Sequence, residues 1–116
     1  MDLKQIVDTV VRALEDIKGR EIVVLDTTRL TSMFDKMVIA SADSTRQTKA
    51  LSDNVQDKLK AAGGTIYGVE GEQAGEWILV DAGEVIVHIM QPAVRSYYDL
   101  EQLWSAAARP ARAAGA

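Results

Sequence analysis

The sequence has no cysteine, one histidine, one phenylalanine and two prolines. Without cysteine there is no disulfide framework, no thiolate metal site and no cysteine nucleophile. This usage fits the cytosol, and a cytoplasmic location is expected. A lone histidine excludes a two-histidine metal centre. No apolar run approaches the roughly 18 residues that span a bilayer, so no membrane partner is expected. No signal peptide is read either, because Met1 to Leu14 carries Asp2 and Asp8 and already has helical periodicity. Phosphate-cradling loops are missing too. Gly68, Gly71 and Gly75 are too widely spaced for a Walker A or G-x-G-x-x-G motif, and no G-x-S-x-G elbow is present.

What is present fits one globular domain. The chain has 116 residues, 47% of them apolar and 26% charged, enough for a single core. The net charge of −4 hides an asymmetry. Residues 1–60 carry ten acids and ten bases, whereas residues 61–108 carry seven acids against Arg95 alone, a local charge of −6. A surface of that sign repels phosphate backbones, so no direct nucleic-acid readout is expected. It either solubilises the domain or steers a basic protein surface onto it.

The hydrophobic pattern predicts three helices and five strands. Leu3, Ile6, Val7, Val10, Val11, Leu14 and Ile17 recur at helical spacing, with Asp2 and Gln5 to cap the start and Gly19 to end the run. Strands are read at 21–26 and 36–40. A helix capped by Ser44 and Gln47 carries Leu51, Val55 and Leu59 and ends at Gly63-Gly64. Further strands are read at 65–69, 77–81 and 85–90, the first two joined by a flexible acidic connection from Gly71 to Gly75. The link Ala82-Gly83-Glu84 is a hairpin signal. Pro92 opens a last helix whose apolar positions are Val94, Tyr97, Leu100, Leu103 and Trp104. Trp104 and one of the two tyrosines, Tyr97 or Tyr98, are expected in the core. The fold class is therefore α/β, a single domain over residues 1–105 in the order α-β-β-α-β-β-β-α. Its mixed sheet of about five strands is flanked by three helices. An Ala/Arg tail, 106–116, is expected to be disordered.

Catalysis finds little support. A nucleotidyltransferase wants a Gly-Ser turn after a strand and carboxylates two apart on one strand face to hold magnesium. Here the turn is Ser41-Ala42-Asp43-Ser44, and the spaced pairs are Asp99/Glu101, on a helix, and Glu70/Glu72, across Gly71. No catalytic residue, metal or cofactor is expected. His88, inside an apolar strand, reads as a core or interface residue. Trp77 beside an acidic loop, Asp81 and Glu84 around a tight turn, and Tyr97-Tyr98 before Asp99-Leu100-Glu101 suit a protein interface instead. A generic acidic adaptor would also be consistent with these residues.

Several segments carry a resemblance. They are Gly68-Val69-Glu70-Gly71, Glu76 to Asp81, Gly83, Val85 to Met90, Arg95, Tyr98 to Glu101 and Leu103-Trp104. In the amino-terminal half they are Asp26, Asp35, Met37 to Ala40, Ser44, Arg46 and Gln47. Together they closely resemble the Iojap family, the ribosomal silencing factors, over about residues 2–105. The resemblance implies a nucleotidyltransferase-like fold without catalysis. It also implies binding to ribosomal protein L-fourteen on the intersubunit face of the large ribosomal subunit. There the factor would block joining of the small subunit and lower translation when nutrients are scarce. The site it implies comprises Trp77 as apolar anchor, Asp81 as charge partner, Ala82 and Glu84 on the hairpin edge, Tyr98 facing it from the last helix, and His88. Ala42 and Ala82 depart from the family pattern, where many members carry a glycine and a larger apolar residue. A homodimer of the free protein stays open.

Overall fold

Asp2 caps the first helix with a reciprocal box: its side chain accepts from Gln5 N–H, and the Gln5 side chain accepts from Asp2 N–H. The computed structural model describes residues 1–104, so the expected 106–116 tail lies outside the described residues. The elements run α1 (Leu3–Asp16), β1 (Arg20–Asp26), β2 (Lys36–Ser41), α2 (Thr45–Ala61), β3 (Gly68–Glu70), β4 (Trp77–Asp81), β5 (Val85–Met90) and α3 (Pro92–Tyr98). Their order is the one the sequence predicts.

Some element ends differ from the pattern-based bounds, each for a physical reason. α1 ends with Lys18, not Gly19, in the left-handed region at φ 61°. Gly19 is needed for closeness: a Cβ there would sit 3.0 Å from the Leu14 carbonyl and 3.3 Å from Leu51. At the start of α2, Ser44 accepts from Gln47 N–H, but the Gln47 side chain bonds Asp43 N–H and the Ile17 and Lys18 carbonyls. Gln47 thus ties the two helices together rather than completing a box.

The strands form one five-stranded sheet in the order β1-β2-β5-β4-β3. β2 and β5 run parallel and all other neighbours antiparallel. The parallel pair follows from the crossover through α2, which puts α1 and α2 on one face. Alternation along the strands then sorts side chains between faces. Val38, Ala40, Ile78, Val80, Val85, Val87 and Ile89 pack with Val10, Leu14, Leu51, Val55 and Leu59 under the helices. The other face carries a smaller cluster, Leu25, Met37, Ile39 and Met90, with Phe34, Trp77, Val94, Leu100 and Trp104 packed against it.

The expected last helix is broken. α3 stops at Tyr98, and Asp99 takes a left-handed conformation at φ 47°. Its side chain then accepts from Gln102 N–H and so caps a second helical turn at 100–104. A single apolar stripe cannot run through such a break. Tyr97 is consequently 81% exposed and Leu103 68%, and neither tyrosine is core, contrary to expectation. Trp104 is half-buried against Phe34.

Candidate functional site

The face opposite α1 and α2 holds an open groove of about 760 Å³. Sheet register decides its floor. Glu70 pairs with Leu79, Leu79 with His88 and His88 with Ile39, forming one row across four strands. Gly68, Asp81, Ile86 and Met37 form the next. Met33, Phe34, Tyr67, Leu100 and Trp104 wall these rows. Carboxylates of Glu70 and Asp81 line the groove, and among the described residues no lysine or arginine does.

Beside it lies an aromatic cluster. Trp77 Nε1–H donates to His88 Nδ1 at 2.9 Å, and the Trp77 ring lies 4.8 Å from that of Tyr98. Tyr97 meets Tyr98 edge-on at 5.1 Å. Burial pushes the His88 imidazole down to a pKa of about 4, since desolvation disfavours the cation. The ring is therefore neutral at pH 7. With Nδ1 accepting from Trp77, its proton is on Nε2. His88 lines the groove, and no buried side-chain nitrogen or oxygen among the described residues lacks a partner. Nε2–H is thus a donor offered to the groove.

The other predicted site residues separate. Asp81 Oδ1 accepts from Gly83 N–H at 2.8 Å and shapes the hairpin turn while its carboxylate faces the groove. Glu84 is exposed, and its carbonyl anchors Asp35 and Lys36 N–H. Ala82 turns the other way: it is only 7% exposed and belongs to the core beneath the helices. Its methyl group offers no surface to the groove. Trp77, Asp81, His88 and Tyr98 share the open face with Glu84 at its hairpin end. Ala82 does not join them.

The connection before Trp77 is not a loose one. Gly75 N–H bonds the Gly71 carbonyl, and the Gly75 carbonyl accepts from Thr48 Oγ1 at 2.6 Å. Gly71 has φ 86°, and a Cβ there would strike the Trp77 carbonyl at 2.0 Å. The turn therefore fixes where Trp77 enters its strand.

Arg95 enters the sequence reading only as the lone base of residues 61–108 and as part of the family resemblance, with no role assigned to it. It is buried, forks onto Glu101 through Nε and Nη2 at 2.9 and 3.1 Å, and donates from Nη1 to Ser41 at 2.8 Å. This clamp folds the chain back after Asp99 and sets the groove wall. As the only lysine or arginine between residues 61 and 108, Arg95 was the available signal. Phe34, Met33 and Tyr67 were missed; Met33-Phe34 stand out only as an apolar pair in a polar loop.

Comparison with known proteins decides the family. Residues 1–114 match the family described as "Ribosomal silencing factor during starvation". The chain belongs to the ribosomal silencing factors. A ribosomal silencing factor from Chromobacterium violaceum is 54% identical over the whole chain and 94% of its own length. A crystal structure of a Chromobacterium violaceum protein is similar at a TM-score of 0.89 and 56% identity, over 90% of this chain and 88% of that one. One from Bacillus halodurans is similar at 0.80 and 29% identity, over 87% and 94%. These silencing factors are named for a regulatory role. In this member the open face presents apolar area, two carboxylates and a neutral donor. Among the described residues, no helix is long and apolar enough to cross a membrane.

Proposed function

We propose that the groove and the Trp77–Tyr98 cluster dock this domain onto ribosomal protein L-fourteen, on the intersubunit face of the large subunit. Bound there, the domain bars the small subunit and represses translation when nutrients are scarce. One observation carries the reading: an apolar groove lined by two carboxylates and, among the described residues, by no lysine or arginine, on the sheet face the helices leave open. Such a patch fits a basic protein surface, with aromatic anchors supplying area and carboxylates supplying orientation. The same acidity disfavours direct readout of ribosomal RNA. No turnover belongs to this mechanism, since steric exclusion alone accounts for silencing. The domain would work in the cytoplasm, where ribosomal subunits join.

Sedimentation through a sucrose gradient with separated subunits tests it. The protein should travel with the large subunit alone and lower the yield of joined ribosomes. Co-migration with the small subunit, or binding that Asp81→Asn and Trp77→Ala leave unchanged, would overturn the docking surface.

A further inference from the structure

His88 is only 6% exposed, yet its side chain lines the groove. Trp77 Nε1–H donates to Nδ1 at 2.9 Å, which leaves the ring proton on Nε2. Among the described residues nothing accepts from Nε2–H. A buried donor held in one tautomer and open only to the groove is matched by an acceptor from outside the chain. Glu70 and Asp81 line the same groove and, among the described residues, no lysine or arginine does, so a phosphate or carboxylate oxygen is repelled there. The acceptor is therefore neutral, and the main-chain carbonyl is the neutral acceptor that every protein segment carries.

The carboxylates add a second requirement. Glu70 is exposed and makes no hydrogen bond or ion pair among the described residues. Asp81 uses Oδ1 for Gly83 N–H and has Oδ2 left. Gly68, the Cα partner of Asp81, keeps the floor beside them open, since a Cβ there would meet nothing within 4 Å. Glu70 and His88 share one row and are two strands apart. That is about 10 Å, the length of about three extended residues.

We propose that the groove reads a main-chain carbonyl through His88 Nε2–H and, on the same short segment, a lysine or arginine side chain through Glu70 and Asp81. The occupant is an extended stretch of a basic protein. Trp77 is the positioning residue that keeps the histidine proton on the groove side. The partner's identity rests on the docking surface proposed above; the recognition chemistry rests on the groove alone.

NMR of the isotope-labelled full chain with blocked tripeptides tests that chemistry without ribosomes. The probe is acetyl-Gly-Arg-Gly-amide, and the control is acetyl-Gly-norleucine-Gly-amide, which keeps every carbonyl and lacks the charge. The arginine peptide should move the His88 Nε2–H resonance downfield and slow its exchange with water. Trp77→Phe should draw the two ring nitrogen signals towards each other as the tautomer is released, and should weaken the peptide. A His88 ring that ignores the arginine peptide up to its solubility limit would overturn the proposal. An equal response to the norleucine control would overturn it too.

Isolated large subunits form the second arm. Trp77→Phe and His88→Phe should each weaken binding roughly three- to tenfold, about the worth of one hydrogen bond. The double variant should lose no more than His88→Phe alone, and additive losses would overturn the positioning of His88 by Trp77. His88→Gln, whose amide can accept from Trp77 and still donate, should recover part of the loss. If the peptide is read by NMR but neither variant alters subunit binding, the docking surface falls and the carbonyl-reading groove stands. If subunit binding responds to Asp81→Asn but to neither Trp77→Phe nor His88→Phe, the proposal falls and the docking surface stands.

Discussion

On the helix-covered face of the sheet, Ile78, Val80, Val85 and Val87 are fully buried beneath α1 and α2. Their chain neighbours Leu79 and Ile86 point to the other face and remain partly open in the groove. Both faces are apolar, but they are not covered alike. Two helices of 14 and 17 residues close the first, while α3, only seven residues long, and the turn at 100–104 cover the second in part. The first face is closed by folding, and the second, where the proposed docking surface lies, stays partly open. Adjacent residues on one strand should therefore fail in different ways.

The largest effect should come from the closed face. Leu51→Ala, in the middle of α2 and fully buried, should cost about 3 kcal/mol in urea unfolding. Leu79→Ala on the open face should cost under about 1 kcal/mol and instead weaken binding to the large subunit. Equal stability losses would erase the distinction between the faces.

His88 gives a pH-dependent version of the comparison, because it is the titratable group buried on the open face. Above its ordinary pKa of 6.5 the ring is neutral both folded and unfolded and adds no pH dependence. Between 6.5 and about 4 the unfolded chain takes up a proton that the native state refuses, so stability falls as pH falls. The slope is about 1.4 kcal/mol per unit, or about 2 kcal/mol lost between pH 7 and 5. The decline should level off below about pH 4. His88→Gln should flatten it between pH 6.5 and 5; an unchanged slope would assign it to other groups.

Trp77→Ala should keep the fold by circular dichroism and lose about 2 kcal/mol of binding, roughly thirtyfold. Trp77→Phe separates area from hydrogen bonding, since it keeps a ring against Tyr98 and leaves His88 Nδ1 without its donor. An unfolded Trp77→Ala protein would move Trp77 from the docking surface to the structural side.

The smallest effects belong to charge. Asp81→Asn retains an oxygen for Gly83 N–H, so the hairpin should survive. Its lost charge should speed dissociation about tenfold, equivalent to about 1.4 kcal/mol. Glu84→Lys, on an exposed rim, should slow association about threefold and flatten its salt dependence. Salt-insensitive binding by both variants would make the acidity solubilising only.

Much of this architecture is legible in the residues themselves. Helical periodicity places the three helices, and short apolar runs between turn signals place the five strands, so all eight elements come out in order. The bounds of β4 and β5 follow from the Gly83 turn between two short apolar runs, and the acidity of residues 61–108 is a plain count. Trp77 and Tyr98 are legible as aromatics beside carboxylates and through the family resemblance; their 4.8 Å contact is not. Only tertiary structure decides which apolar face is closed, since α1 and α2 both pack on one side and nothing local to β4 reveals that. It also decides that Ala82 faces the core, because its side follows from the pleat of β4 and the position of the helices. The break at Asp99 is likewise tertiary. Arg95 reaches Ser41 on β2, 54 residues earlier, and Glu101 on the far side of a left-handed residue. Local spacing, which reads 92–104 as one helix, contains no term for a clamp between a helix and a distant strand. Sequence thus determined the elements and the sign of the charge. The sheet's coverage, a long-range packing outcome, determined where that charge meets open apolar surface.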